Sequence, residues 1–150
     1  MPDPIRLTRD QLSPLLPHAG SMLMIDSVIA FDETSITCGS ERHQAANNPL
    51  RREGRLAAHH GIEFAAQASA IHGGLLGGGG QAPLRALAAV RKASFAGAWL
   101  DEIEGQLRID ASIVMLDANA AVYQAILSSS EKNVAAMRLT LMTIDEEISA

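Results

Sequence analysis

Glu63 is the one charged side chain between Leu56 and Leu84. It stands in the run HHGIEFAAQASAIHGGLL, residues 59–76. Acidic side chains are almost never fully buried unless paired, so a carboxylate in such a run needs a reason. Gln67 follows four residues later and shares a helical face with it. His59 and His60 precede it by four and three residues. A carboxyl held in a cleft beside an amide and imidazoles can do acid–base chemistry. Histidine suits the partner role because its ordinary pKa lies at about 6.5. The alternative is a first-turn acid that favours the helix dipole and faces water. Metal chemistry lacks a pattern: His59 and His60 are adjacent, and no Cys or acid stands at ligand spacing. The Gly77 to Gly80 run is not followed by the Lys-Ser/Thr of a phosphate loop.

The element that must position Glu63 is apolar on all sides. Such a helix is either buried or a membrane span. A span takes about 20 predominantly apolar residues. Here His59, His60, Glu63, Gln67 and His72 fall in or beside the stretch, and Gly73, Gly74 and Gly77 to Gly80 cut it short. The run therefore predicts a central helix of about four turns, wrapped by other elements. His72 lies nine residues past Glu63, out of reach within one chain. Ahead of the helix, Thr8 caps a short helix over RDQL, Ser13-Pro14 repeats the signal, and Pro17 closes the arm. MLMIDSVIAF, residues 22–31, reads as a strand, and TSITCGS, 34–40, as its hairpin partner. A polar loop over 43–55, with His43 solvated in it, leads to the helix. Beyond the glycine-rich loop, strands are predicted at 84–95, 106–116, 121–128 and 134–144, before a frayed tail. Six mostly antiparallel strands round one long helix make a single α+β domain over 1–150. Open sheet edges predict pairing with a second copy.

Composition narrows the function classes. Hydrophobic residues make up 47% and charged residues 19%, so the chain is expected to build a core rather than stay disordered. A net charge of −5 argues against a general nucleic-acid binder. The single cysteine, Cys38, allows no internal disulfide, reads as a small buried hydrophobe and suits a reducing compartment. The N-terminal MPDPIRLTRDQ has no apolar core of a secretory signal, so a cytoplasmic location without a membrane span is expected.

Two short motifs carry a resemblance. Leu16-Pro17-His18, followed by Met22-Leu23 and Asp26-Ser27-Val28, is similar to a Leu-Pro-His arm that leads into a first strand. Ile62-Glu63-Phe64-Ala65-Ala66-Gln67 is similar to an acid–x–x–x–Gln motif on a central helix. With the order of elements, they resemble the hot-dog fold and its 3-hydroxyacyl-acyl-carrier-protein dehydratases. The likeness is strongest to a divergent branch found with aryl-polyene pigment clusters. It implies dehydration of a (3R)-hydroxyacyl thioester to the trans-2-enoyl thioester, in fatty-acid or aryl-polyene-like biosynthesis. It implies no cofactor; the substrate arrives on the phosphopantetheine arm of an acyl carrier protein. A base takes the proton beside the thioester carbonyl, an acid protonates the departing hydroxyl, and the carbonyl oxygen gains charge. A helix N-terminus offers free N–H groups for that oxygen. Gly61 lets a thioester approach closely, or equally lets the helix pack closely. Gln67, His59 and His60 complete the expected substrate contacts.

The departures from the family are specific. The main family carries a loop histidine fourteen residues before the helix acid, and Pro49 stands there in this chain. Ala57-Ala58 replace the family's Pro-Gly. The divergent branch keeps the histidine of the arm, which makes His18 the leading catalytic partner of Glu63. Arg51, Arg52 and Arg55 form a basic loop that would receive the acidic carrier protein, with a merely solvated loop as the alternative. The partners implied are an acyl carrier protein and a second subunit, identical or related, with no nucleic acid. A hot-dog thioesterase, with Glu63 activating water, and a non-catalytic acyl-binding subunit are the competing readings, because function resides in the site rather than the fold.

Overall fold

The structure, a computed structural model, describes residues 4–15, 20–77 and 85–143. Strand β1 (Pro4–Thr8) runs into a one-turn helix α1 (Arg9–Leu12). Strands β2 (Ser27–Phe31) and β3 (Ser35–Ser40) form a hairpin. The central helix α2 (Gly61–Leu76) is entered through a 3₁₀ turn, Ala58–His60. Strands β4 (Arg85–Phe95), β5 (Leu107–Leu116), β6 (Ala120–Ser129) and β7 (Lys132–Thr143) follow. All lie in one sheet of order β1-β2-β3-β5-β6-β7-β4, with every neighbouring pair antiparallel.

The sheet curls round α2 because its strands alternate. Leu107, Ile109 and Ala111 on β5 are buried, as are Ala121, Tyr123, Ala125 and Leu127 on β6. Met137, Leu139 and Leu141 continue that face on β7. Period-two alternation puts these side chains on one surface, and α2 fills the concavity they make. No residue from Gly61 to Leu75 is exposed. Phe64 and Ile71 are fully buried, and each contributes about 1.5–3 kcal/mol by leaving water. The architecture is the expected α+β arrangement of an antiparallel sheet around one long helix, with one strand more than the six predicted.

Four local differences have physical causes. The added strand is β1, which pairs Leu7 with Val28 and Thr8 with Ser27. β2 starts at Ser27 rather than Met22, because side chains rather than a neighbouring strand hold the backbone of residues 22–25. His43 is not solvated: it is fully buried, with its Nε2 3.0 Å from the Ile103 carbonyl. β4 is far more exposed than an inner strand because it forms the sheet's edge, with two register breaks and Lys92 at φ +53°. Cys38 is the buried small hydrophobe expected, and burial pushes its thiol pKa well up. The Leu16-Pro17-His18 motif, most of the glycine run and the tail fall outside the described residues.

Candidate functional site

Glu63 lies in the first turn of α2 and is half-buried. One helical turn on, Gln67 is only 2% exposed and connects the helix to the chain ahead of β2. Its Oε1 accepts the Met24 N–H at 2.7 Å. Its Nε2 donates to the Met22 carbonyl at 2.9 Å and to Glu63 Oε1 at 3.0 Å. The Met24 N–H can only donate, so the amide cannot flip, and Nε2 must face the carboxyl. Glu63 Oε1 is therefore held as an acceptor of the Gln67 amide. The segment that meets Gln67 begins two residues after His18 and makes a turn over Gly20–Met22, with Gly20 at φ +62°.

The entrance to α2 is fastened to the loop after β4. Ala58 donates to the Ala98 carbonyl, and Leu100 to the Leu56 carbonyl, both at 2.8 Å. Asp101 Oδ1 accepts the Leu56 N–H at 2.8 Å, and its Oδ2 takes Arg55 Nε at 2.9 Å. Burial opposes ionisation of Asp101, but these donors outweigh it and hold its pKa below the usual range. His59 is exposed, His60 half-buried, and their rings lie 4.3 Å apart. Burial first, then the neighbouring His59 and Arg52, lowers the His60 pKa, while Glu63 pulls the other way. His60 thus favours the neutral imidazole beside the acid-bearing turn. Gly61 is buried, and a Cβ there would meet Leu127 Cδ2 at 3.1 Å. Its bare backbone is needed at least for that packing. The loop after β4 also walls an open groove of about 440 Å³, bounded by Ala98, Trp99, Ile103, Glu104, Ser129 and Val134.

The three loop arginines do not share one face. Arg51 folds back onto the carbonyls of Ala45, Gly54 and His43. Arg55 pairs with Asp101 and Glu102 and lies 4.2 Å over the Trp99 ring. Arg52 is exposed, and its guanidinium bonds the nearby Pro49 and Arg51 carbonyls. Far along α2, His72 bridges the Tyr123 hydroxyl and the Asp32 carbonyl, each at 2.7 Å. Its Nε2 must donate to that carbonyl, so Nδ1 accepts the Tyr123 hydroxyl proton. Two residues that shape the site gave no pattern in the sequence: Asp101, and Arg9, whose guanidinium reaches the Gly20, Leu23 and Ile25 carbonyls. Both act largely on backbone atoms, which carry no residue-type signal. Among the described residues no cluster of three or more His, Cys, Asp or Glu could hold a metal ion. No helix among them is long and apolar enough to cross a membrane.

The ApeP-like family, described as ApeP dehydratase, matches residues 10–150. The chain belongs to the ApeP-like dehydratase family. Among solved structures it is similar to the dehydratase heterocomplex ApeI:P from Xenorhabdus doucetiae, with TM-score 0.79 at 18% identity, over 94% of this chain and 93% of that one. A thioesterase from Haemophilus influenzae shares the fold at TM-score 0.64 and 19% identity, over 93% and 92% of the two chains. A hypothetical thioesterase from Streptococcus pneumoniae, solved with coenzyme A, follows at TM-score 0.58 and 14% identity, over 78% and 84%. No curated protein matches the chain significantly. The hot-dog architecture and the dehydratase assignment of the ApeP-like chain thus rest on separate findings, the first on shape and the second on the family match.

Proposed function

We propose that this ApeP-like dehydratase acts on (3R)-hydroxyacyl thioesters borne on the phosphopantetheine arm of an acyl carrier protein, in the cytoplasm. Glu63 is the acid: its carboxyl protonates the departing hydroxyl, which leaves as water. His18 is the base that takes the proton from the carbon beside the thioester carbonyl. The positive end of the α2 dipole, near Gly61, faces the charge that gathers on the carbonyl oxygen. His59 and His60 wall the approach, and the groove beside Trp99 borders the same helix end. The observation that carries this reading is the Gln67–Glu63 contact, which fixes where the carboxyl sits in the first turn of α2. The return of the chain to Gln67 at Met22, four residues after His18, supports the assignment of the base.

The active form is a dimer, of this chain with itself or with a related subunit. The exposed edge β4 and the half-covered stripe Ile62, Ala66, Ala70 and Gly73 on α2 support that reading. Arg52, the exposed arginine of the three, is the residue of the basic loop best disposed to meet an acidic carrier protein. The decisive experiment is Glu63→Gln, which keeps size and hydrogen bonding but cannot transfer a proton. Dehydration of a 3-hydroxyacyl carrier-protein substrate should fall to background with circular dichroism unchanged. Wild-type turnover by the variant would remove Glu63 from the chemistry.

A further inference from the structure

We infer that Arg9 is a positioning residue for Glu63, acting through residues 20–26 and Gln67; this rests on the catalytic role proposed for Glu63. Arg9 is fixed from two sides. Thr8 before it pairs with Ser27 at the end of β1, and Leu12 after it is fully buried. Its guanidinium then faces a row of acceptors. Nη1 reaches the Leu23 carbonyl at 2.8 Å, the Ile25 carbonyl at 3.2 Å and Asp26 Oδ1 at 3.3 Å. Nη2 donates to the Gly20 carbonyl at 2.9 Å.

In extended backbone, successive carbonyls point to opposite edges. The Leu23 and Ile25 carbonyls therefore point to Arg9, while the Met22 carbonyl and the Met24 N–H point to Gln67. The segment behaves as a short strand whose two edges are paired by side chains instead of by strands. Its far end is tied down as well: Asp26 N donates to the Gly39 carbonyl, and Asp26 Oδ2 accepts the Glu41 N–H at 2.7 Å. Leu23, Met24 and Ile25 are buried, which shields the bonds to their main-chain atoms, whereas the Arg9–Gly20 bond at the end of the row is exposed. Removing Arg9 leaves one edge unpaired, and the segment shifts at the two atoms that hold the Gln67 amide. That amide in turn sets the Glu63 carboxyl. Lysine would not substitute, because one ammonium cannot fork across three carbonyls as a guanidinium does.

The test is a double-mutant cycle of Arg9→Gln and Gln67→Ala, read as kcat and KM on a 3-hydroxyacyl carrier-protein substrate. Alongside it, exchange of the Gln67 side-chain amide protons is followed by NMR in the wild type and in Arg9→Gln. Small misplacements of catalytic groups are costly, so Arg9→Gln should lower kcat about tenfold with little change in KM. In the Gln67→Ala background the same change should cost about twofold or less, because the relay is already cut. The Gln67 amide protons should exchange faster in Arg9→Gln. An equal loss of kcat in both backgrounds, or wild-type exchange at Gln67, overturns the inference. Arg9→Lys takes the place of Arg9→Gln if the latter does not fold. Glu63→Gln, run beside them, separates the two claims: turnover by that variant sinks the role of Glu63, whereas the exchange measurement bears on Arg9 alone.

Discussion

The side-chain amide of Gln67 makes three hydrogen bonds inside the protein, and each matters to a different neighbour. Gln67→Ala strips the Met24 N–H of its acceptor in a buried place, at a cost of about 1–3 kcal/mol read as a lower Tm. Gly61→Ala should be milder, under about 1 kcal/mol, because the atom it meets is the far end of a leucine that can give way. If its activity falls much further than its stability, the thioester itself needs that open backbone. Acid sensitivity follows from the histidines. Burial lowers the pKa values of His43, His60 and His72 below the ordinary 6.5. The unfolded chain therefore binds more protons than the folded one as pH falls through about 6.5, so stability is full above that pH and declines below it. Asp32, Asp101 and Asp117 are held below 3.8, so their contribution is lost only in stronger acid. Tm should drop between pH 7 and pH 5, and less steeply in His43→Gln, which removes one of the buried imidazoles while keeping an N–H for the Ile103 carbonyl. At this scale the i, i+4 spacing of Glu63 and Gln67 was readable from the chain. Arg9 was not, since its partners are mostly main-chain oxygens, and His43 misled because its sequence neighbours are polar while its spatial neighbours are not.

Among the elements, β5, β6 and β7 were legible because one face is core and the other is not, and alternation reports that difference. β4 was legible only as apolar content; its burial does not alternate cleanly, since an edge strand has one paired side and two register breaks. β1 was missed because five residues containing Pro4 and Arg6 carry too little pattern, and its existence depends on β2 being there to pair with. The hairpin joining β6 to β7 keeps a local conflict. Ser129 pairs with Lys132, and the two residues between, Ser130 and Glu131, sit at φ +50° and +66°. A two-residue turn of that kind favours Asn-Gly. Replacing Ser130→Asn and Glu131→Gly together should stabilise the protein by about 1 kcal/mol. Chemical denaturation should show a higher midpoint with an unchanged slope; a lower midpoint would mean that the turn is held by contacts other than its own dihedral angles.

For the whole molecule, the sheet order leaves β4 at one border with Leu87 exposed along it. A long, apolar, uncovered edge is an invitation to pairing. Leu87→Lys should weaken the proposed dimer, seen as a smaller sedimentation coefficient at micromolar concentration, while each subunit stays folded. The sequence could announce a free edge but not which strand would form it, because that depends on the order in which distant segments pair. The same order governs how the protein is made. β4 is finished at Phe95, yet the strand it lies against, β7, does not begin until Lys132. Ribosomes add about 5–20 residues per second, so β4 waits for seconds with no strand beside it. The β3–β5 and β4–β7 pairings close late and over long separations, which slows folding. Nascent chains arrested near Asp117 should be cut rapidly by protease and should hold chaperones, and protection should arrive only once β7 has cleared the exit tunnel.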